Sequence, residues 1–310
     1  MSDLKLFRIT DGVASELAGS SIALERSLQK LIEANMEPLF GVRLLESEYS
    51  TGARHGGRMD SLGIDENGSP VIFEYKRAVN ESVINQGLFY LDWLLDHRGD
   101  FKVLVLERLG PTAAEGIDWR NPRLICVANG FTRYDEHAVN QMNRSIDLVR
   151  YRDFEGELLA LELVHSSRVD AQSSVDAPDA TPPANGRSTP ATYKTVSEYL
   201  EQAPTELKDL YDELEAYVLA LGDDVTRKTL KYYIAYRRIK NFLCVEVLPQ
   251  RRELALYLKV NPDSVDLAEG FSRDVRQIGH FGTGDLEVRV KGADSLASAL
   301  PLLLRSYEES

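Results

Sequence analysis

Between residues 20 and 37 the apolar positions Leu24, Leu28, Leu31 and Ile32 recur at helix spacing, and Pro38 should close that segment. Residues 41–49 read as a strand. Residues 59–64 and 70–76 read as two more, joined by Asp65-Glu66-Asn67-Gly68, whose Asn-Gly pair suits a tight hairpin turn. A second helix is predicted over 82–96, with Ile84, Leu88, Leu91 and Leu95 on one face. Two continuous apolar runs, FKVLVL at 101–106 and LICVA at 124–128, have the look of strands buried on both faces. Further strands are expected at 147–151 and 158–164.

From Ser166 to Thr192 the chain turns to Ser, Ala, Asp, Pro and Thr without an apolar period, the composition of a flexible linker. The expected division is therefore a domain over 1–165, a linker over 166–192 and a second domain over 193–310, each domain of ordinary size. In the second domain, helices are predicted at 196–203, 206–221 and 226–238. A hairpin is expected from 243–248 and 254–259, a strand at 286–290 and a closing amphipathic helix at 293–307. This pattern is an α+β unit with an antiparallel sheet.

Composition narrows the classes. Hydrophobic residues make up 43% and charged residues 27% of the 310, an ordinary globular balance. No apolar run approaches the roughly 18 residues of a membrane helix, and MSDLKLFRIT lacks the pattern of a signal peptide. Cys126 and Cys244 are far apart and read as buried small hydrophobes of a reduced, cytoplasmic protein. The net charge of −13, acidic in both halves, excludes bulk electrostatic binding of a polyanion. A phosphate backbone must then be met by a local basic patch or through metal ions.

The chemistry concentrates between Gly56 and Tyr90. Asp60 lies on the first hairpin strand. Glu74 and Lys76 stand two apart on the second, so both point to one face, and hairpin pairing can bring Asp60 beside them. Charges on a strand this apolar are costly unless they meet partners or a cleft. Two carboxylates suit Mg²⁺, and a nearby lysine can orient or deprotonate a water and offset charge on a phosphoryl transition state.

Asp60, Glu74-Tyr75-Lys76 and the order helix, three strands, helix, strand resemble the PD-(D/E)XK nuclease superfamily and its restriction-endonuclease-like α/β core. Gln86-Gly87-Leu88-Phe89-Tyr90 is similar to the Gln-x-x-x-Tyr motif of RecB-like members, and the wording around Gly57-Arg58-Met59-Asp60 and Glu74-Tyr75-Lys76-Arg77 looks like NucS-type bacterial nucleases. Met59 replaces the proline of the superfamily's name. The resemblance covers roughly residues 20–130. It implies catalytic roles for Asp60, Glu74, Lys76, Gln86 and Tyr90, and Mg²⁺ or Mn²⁺ held by Asp60, Glu74, the Tyr75 carbonyl and Glu25. The second domain looks like an uncharacterised family often appended to such nucleases.

Arg58 and Arg77 bracket the motif and could meet phosphates. Arg227, Lys231 and Arg238 fall on one face of the helix predicted over 226–238, interleaved with tyrosines, a pattern able to grip a nucleic-acid backbone. The glycine-rich stretch at 279–284 precedes a strand rather than a helix and so fails as a phosphate loop. The resulting expectation is a Mg²⁺-dependent DNA nuclease acting in repair, restriction or defence. Its second domain would serve specificity, the contacts of a homodimer, or regulation, and no membrane is involved. The rival expectation is a catalytically silent nuclease fold that binds or senses nucleic acid.

Overall fold

The computed structural model describes residues 4–22, 25–52, 55–76, 82–167 and 194–310, without the side chain of Ser82. The chain divides into two compact units, Met1–Ser173 and Ser174–Ser310.

The first unit opens with a separate hairpin of β1 (Leu6–Thr10) and β2 (Val13–Leu17). There follow β3 (Gly19–Ser20), α1 (Glu25–Ala34), α2 (Met36–Phe40), β4 (Val42–Ser50), β5 (Arg58–Asp65), β6 (Pro70–Lys76) and α3 (Ser82–Asp96). The unit continues through α4 (Arg98–Leu109), α5 (Pro111–Glu115), β7 (Arg123–Ala128), α6 (Arg133–Asn140), β8 (Ser145–Phe154) and β9 (Leu158–Ser167). The main sheet runs β3-β8-β7-β6-β5-β4, with β9 also on β8. The pairs β6–β7 and β7–β8 are parallel and the rest antiparallel. The result is a mixed α/β sheet flanked by helices.

The turn between β5 and β6 forms as its residues require. Gly68 takes φ 78°, and the Asp65 carboxylate accepts the backbone N–H groups of Asn67 (2.9 Å) and Ser69 (2.8 Å). β6 and β7 lie at the centre of the sheet, and all their residues are buried except Lys76. Side chains alternate across β6. Ile72 packs in the core with Ile84, Leu91 and Leu94 of α3, and Phe73 and Tyr75 point to the other side. A Cβ on Gly87 would come within 2.4 Å of Leu124 Cδ1, so the glycine lets α3 lie close against β7.

Two expectations fail here. The first helix does not run to Glu37. It ends at Ala34, and Pro38 sits in the first turn of α2, where its missing N–H is no loss. The run 101–106 is helix α4, not a strand. Phe101 and Val105, four apart, are buried, whereas Val103 and Leu106 are about half exposed. A short apolar run carries no period that separates the two states, and packing of one face decided it.

β9 continues through Ser167, so the first two residues of the expected linker are strand; 168–192 lies outside the described residues.

The second unit contains α7 (Val196–Glu201), α8 (Thr205–Leu219), β10 (Thr226–Thr229), β11 (Ile234–Arg237), β12 (Asn241–Leu248), β13 (Glu253–Leu258), β14 (Ser272–Asp274), β15 (Leu286–Val290) and α9 (Ala293–Glu309). Its sheet is antiparallel throughout, in the order β10-β11-β12-β13-β15-β14. The helix expected over 226–238 is the β10–β11 hairpin, paired Thr226 to Arg237 and Arg227 to Tyr236. Ile234 and Tyr236 alternate with Ala235, placing the first two in the main core and the third in a smaller cluster on the opposite face. Here the period of two and the β-branched and aromatic content outweigh the helical spacing of the charges. Helices α7, α8 and α9 share that main core. Among the described residues no helix is long and apolar enough to cross a membrane.

Candidate active site

The β5–β6 ladder is paired from Ile64–Pro70 up to Ser61–Phe73. One residue further on, side chains take over from the ladder. The Tyr75 N–H donates to Asp60 Oδ2 at 3.0 Å, and the Asp60 N–H approaches Glu74 Oε1 at 3.4 Å. Glu74 shares the Ile72 face of β6, toward α3, and the Asp60 carboxylate takes the ladder position where it accepts the Tyr75 N–H. The two carboxylates are thus neighbours across adjacent strands. Lys76, at the end of β6, reaches Glu25, the first residue of α1, with Nζ 3.1 Å from Oε1.

Glu74 is wholly buried, and among the described residues its Oε2 has no hydrogen-bond partner. Desolvation, then the charge of Asp60, lift its carboxyl from 4.5 to about 9. Burial likewise raises Asp60, opposed by the Tyr75 N–H and Lys76 and assisted by the charges of Glu25 and Glu48. Burial alone would lower Lys76. The hydrogen bond and charge of Glu25, with the charges of Asp60 and Glu74, outweigh that and leave it raised. Lys76 is therefore an ammonium at neutral pH. In that form it can orient a water or stabilise negative charge.

Gln86 and Tyr90, four apart on α3, do meet: Gln86 Nε2 donates to Tyr90 Oη at 3.1 Å. The same oxygen accepts the backbone N–H of Arg58 at 3.1 Å, tying α3 to the start of β5. Gly57 makes room for this contact, since a Cβ there would lie 2.6 Å from the Tyr90 ring. Both contacts use the hydroxyl oxygen as acceptor, which leaves its O–H as a donor.

A polar row on α1 escaped the sequence reading. Gln29 Nε2 donates to the Asp60 carbonyl at 2.9 Å and to Glu33 at 3.0 Å, and Glu33 accepts from Ser61 Oγ at 2.7 Å. Ser61 Oγ lies 3.1 Å from the Tyr75 hydroxyl on the same side. The signal was present in the sequence: Glu25, Gln29 and Glu33 are spaced i, i+4, i+8 and so share one face of the helix.

Among the described residues no group of three or more His, Cys, Asp or Glu side chains could hold a metal ion. The expected trio of Asp60, Glu74 and Glu25 is thus not assembled; Glu25 is engaged with Lys76. The pair Asp60 and Glu74 still suits a hard cation. Mg²⁺ ordinarily takes one or two carboxylates beside its waters, and an orphaned, desolvated carboxylate oxygen is what a cation would neutralise.

The expected phosphate contacts fare less well. Arg58 is largely exposed and pairs with Glu48 at 3.2 Å, and Arg77 lies outside the described residues. Arg227, Lys231 and Arg238 share no helix face. Arg227 bonds Glu215 at 2.9 Å and Tyr211 at 3.3 Å, and Arg238 bonds Asp224 at 2.6 Å while covering the Tyr307 ring. Lys231 lies over Tyr232 in the hairpin turn. Arg227 and Arg238 are thus each engaged in an ion pair within the unit.

Residues 196–310 match the family described as Domain of unknown function (DUF5655). A curated relative from Haemophilus influenzae, described as an uncharacterized protein, is 26% identical over 99% of this chain and 100% of its own length. Among solved structures, a repair endonuclease from Pyrococcus abyssi is 20% identical, with a TM-score of 0.29 over 43% of this chain and 49% of that one. An EndoMS-dsDNA2 complex is 21% identical, with a TM-score of 0.25 over 42% of this chain and 47% of that one. The chain spans about half the length of these solved structures.

Proposed function

We propose that the first unit is a metal-dependent DNA nuclease that hydrolyses phosphodiester bonds at Asp60, Glu74 and Lys76. The observation that supports this reading is the pairing of the buried Glu74 carboxyl with the half-buried Asp60 where the β5–β6 ladder ends, beside a lysine held as a cation. Asp60 and Glu74, with the carbonyl of Tyr75, would hold Mg²⁺ or Mn²⁺, whose chemistry there is Lewis-acid stabilisation of phosphoryl charge. Glu25 keeps Lys76 protonated and aimed, so that its N–H groups can orient the attacking water and meet charge as it develops. Gln29 fixes the backbone of Asp60, and Tyr90 fixes that of Arg58, so the β5 end of the site is braced from two helices.

Purified protein should nick or degrade DNA with Mg²⁺ or Mn²⁺ and be inert with EDTA. Lys76→Ala should lower cleavage about 100-fold or more while DNA affinity changes little, since the lysine acts mainly in the transition state. A wild-type protein that binds DNA with metal but cuts no strand form, and whose Lys76→Ala variant behaves the same, would replace this reading with that of a binding protein.

A further inference from the structure

The second unit packs its helices on one face of its sheet and leaves charged residues on part of the other. On β15, Leu286, Val288 and Val290 enter the core with the helices, so Glu287 and Arg289 project from the opposite face. There a pocket of about 570 Å³ is lined by Arg251, Arg273, Arg289 and Lys291 around Glu253 and Glu287, with Phe271 as an apolar wall. Four cations surround two carboxylates, a local excess of two positive charges in a chain of net charge −13.

The carboxylates are nearly inaccessible, Glu287 at 1% and Glu253 at 5% exposure, so they form the floor rather than the mouth. Glu287 takes paired bonds from Arg273 (2.6 and 2.8 Å) and from Arg289 (2.8 and 2.9 Å), and Arg289 Nη1 also donates to Glu253 at 2.8 Å. Each guanidinium is thereby fixed in plane and direction. Hydrogen bonds from Arg273 and Arg289 hold Glu287 below the usual carboxylate range against the opposing effect of burial, so the floor stays ionised and the anchoring persists. Arg251 and Lys291 are different. They stand 3.8 and 3.6 Å from Glu253, beyond hydrogen-bond range, and most of each side chain is exposed. Their donors face solvent at the rim. Preorganised guanidiniums below and exposed, loosely paired cations above make a receptor for a multiply charged anion.

We propose that this pocket binds a small phosphate-bearing anion of nucleotide size through Arg273, Arg251 and Lys291. The volume falls within the range of small-ligand sites, and a di- or triphosphate group carries enough charge and acceptors to engage several cations together. The inference uses residues of the second unit alone and does not depend on the nuclease reading.

The test is calorimetric titration of the full chain with inorganic tripolyphosphate, ATP and a short single-stranded oligonucleotide. Tripolyphosphate and ATP should bind with micromolar to submillimolar affinity that weakens as salt rises. Arg251→Glu with Lys291→Glu should weaken binding at least tenfold, whereas Lys102→Glu on α4 of the first unit should leave it unchanged. The neutral pair Arg251→Gln with Lys291→Gln should act in the same direction more mildly, and serves if charge reversal disturbs folding. Three results would overturn the proposal: no binding of either small anion at millimolar concentration, binding by the oligonucleotide alone, or wild-type affinity in both double variants.

Discussion

Glu74 concentrates the tension of the candidate site in one side chain. It has no exposed surface, one oxygen without a partner among the described residues and Asp60 beside it, so the folded chain holds its proton up to about pH 9 against 4.5 when free. Between those values the folded state binds one more proton than the unfolded state, and stability must fall as pH rises. Below pH 4.5 both states are protonated and Glu74 contributes no slope. Urea unfolding with EDTA present should therefore show stability declining from pH 5 to pH 9. Glu74→Gln should flatten that decline and be more stable than wild type by about 2 kcal/mol at pH 8. A glutamine variant that is less stable than wild type at pH 8 would mean that the carboxylate is well accommodated without metal.

At the level of elements, α4 shows most clearly how packing overrides appearance. FKVLVL has the composition of a buried strand, yet it lies between Arg98 and Leu109 as a helix with only one face inward. Phe101 is buried and meets the Trp119 ring edge-on at 5.4 Å, while Val103 is 53% exposed. Phe101→Ala should then cost about 3–5 kcal/mol in denaturant unfolding, and Val103→Ala should change stability by no more than about 0.5 kcal/mol. In a strand buried on both faces, both substitutions would be costly. The β10–β11 hairpin carries the same lesson in reverse. Its charges fall at helical intervals by coincidence, and the inward alternation of Ile234 and Tyr236 is what the sheet used.

For the whole molecule, each of the two units buries its own apolar cluster, one including Leu62, Ile72, Leu91 and Leu124, the other Leu214, Phe242, Leu256 and Leu303. We propose that they unfold independently. Scanning calorimetry of the full chain should resolve two transitions. Leu214→Ala, at a fully buried position of α8, should lower one of them by about 10 °C and leave the other in place. A single transition that shifts as a whole would show the two units to be one cooperative body.

The sequence by itself determined what depends on near neighbours. The Asp65 to Gly68 turn, the apolar stripe of 82–96, the hairpin of β12 and β13 and the same-face spacing of Glu74 with Lys76 are local consequences of backbone geometry. Only the tertiary structure decided matters of distance between segments. Strand register made Asp60 and Glu74 neighbours. The approach of α1 to β6 paired Lys76 with Glu25. Internal partners claimed Arg227 and Arg238. The cationic pocket was invisible beforehand for the same reason. Arg251, Arg273, Arg289 and Lys291 are scattered over 41 positions, and only the sheet brings them to one face. Backbone propensity acts over a few residues, whereas burial and charge pairing act through space, and the chemistry of this protein depends on the second.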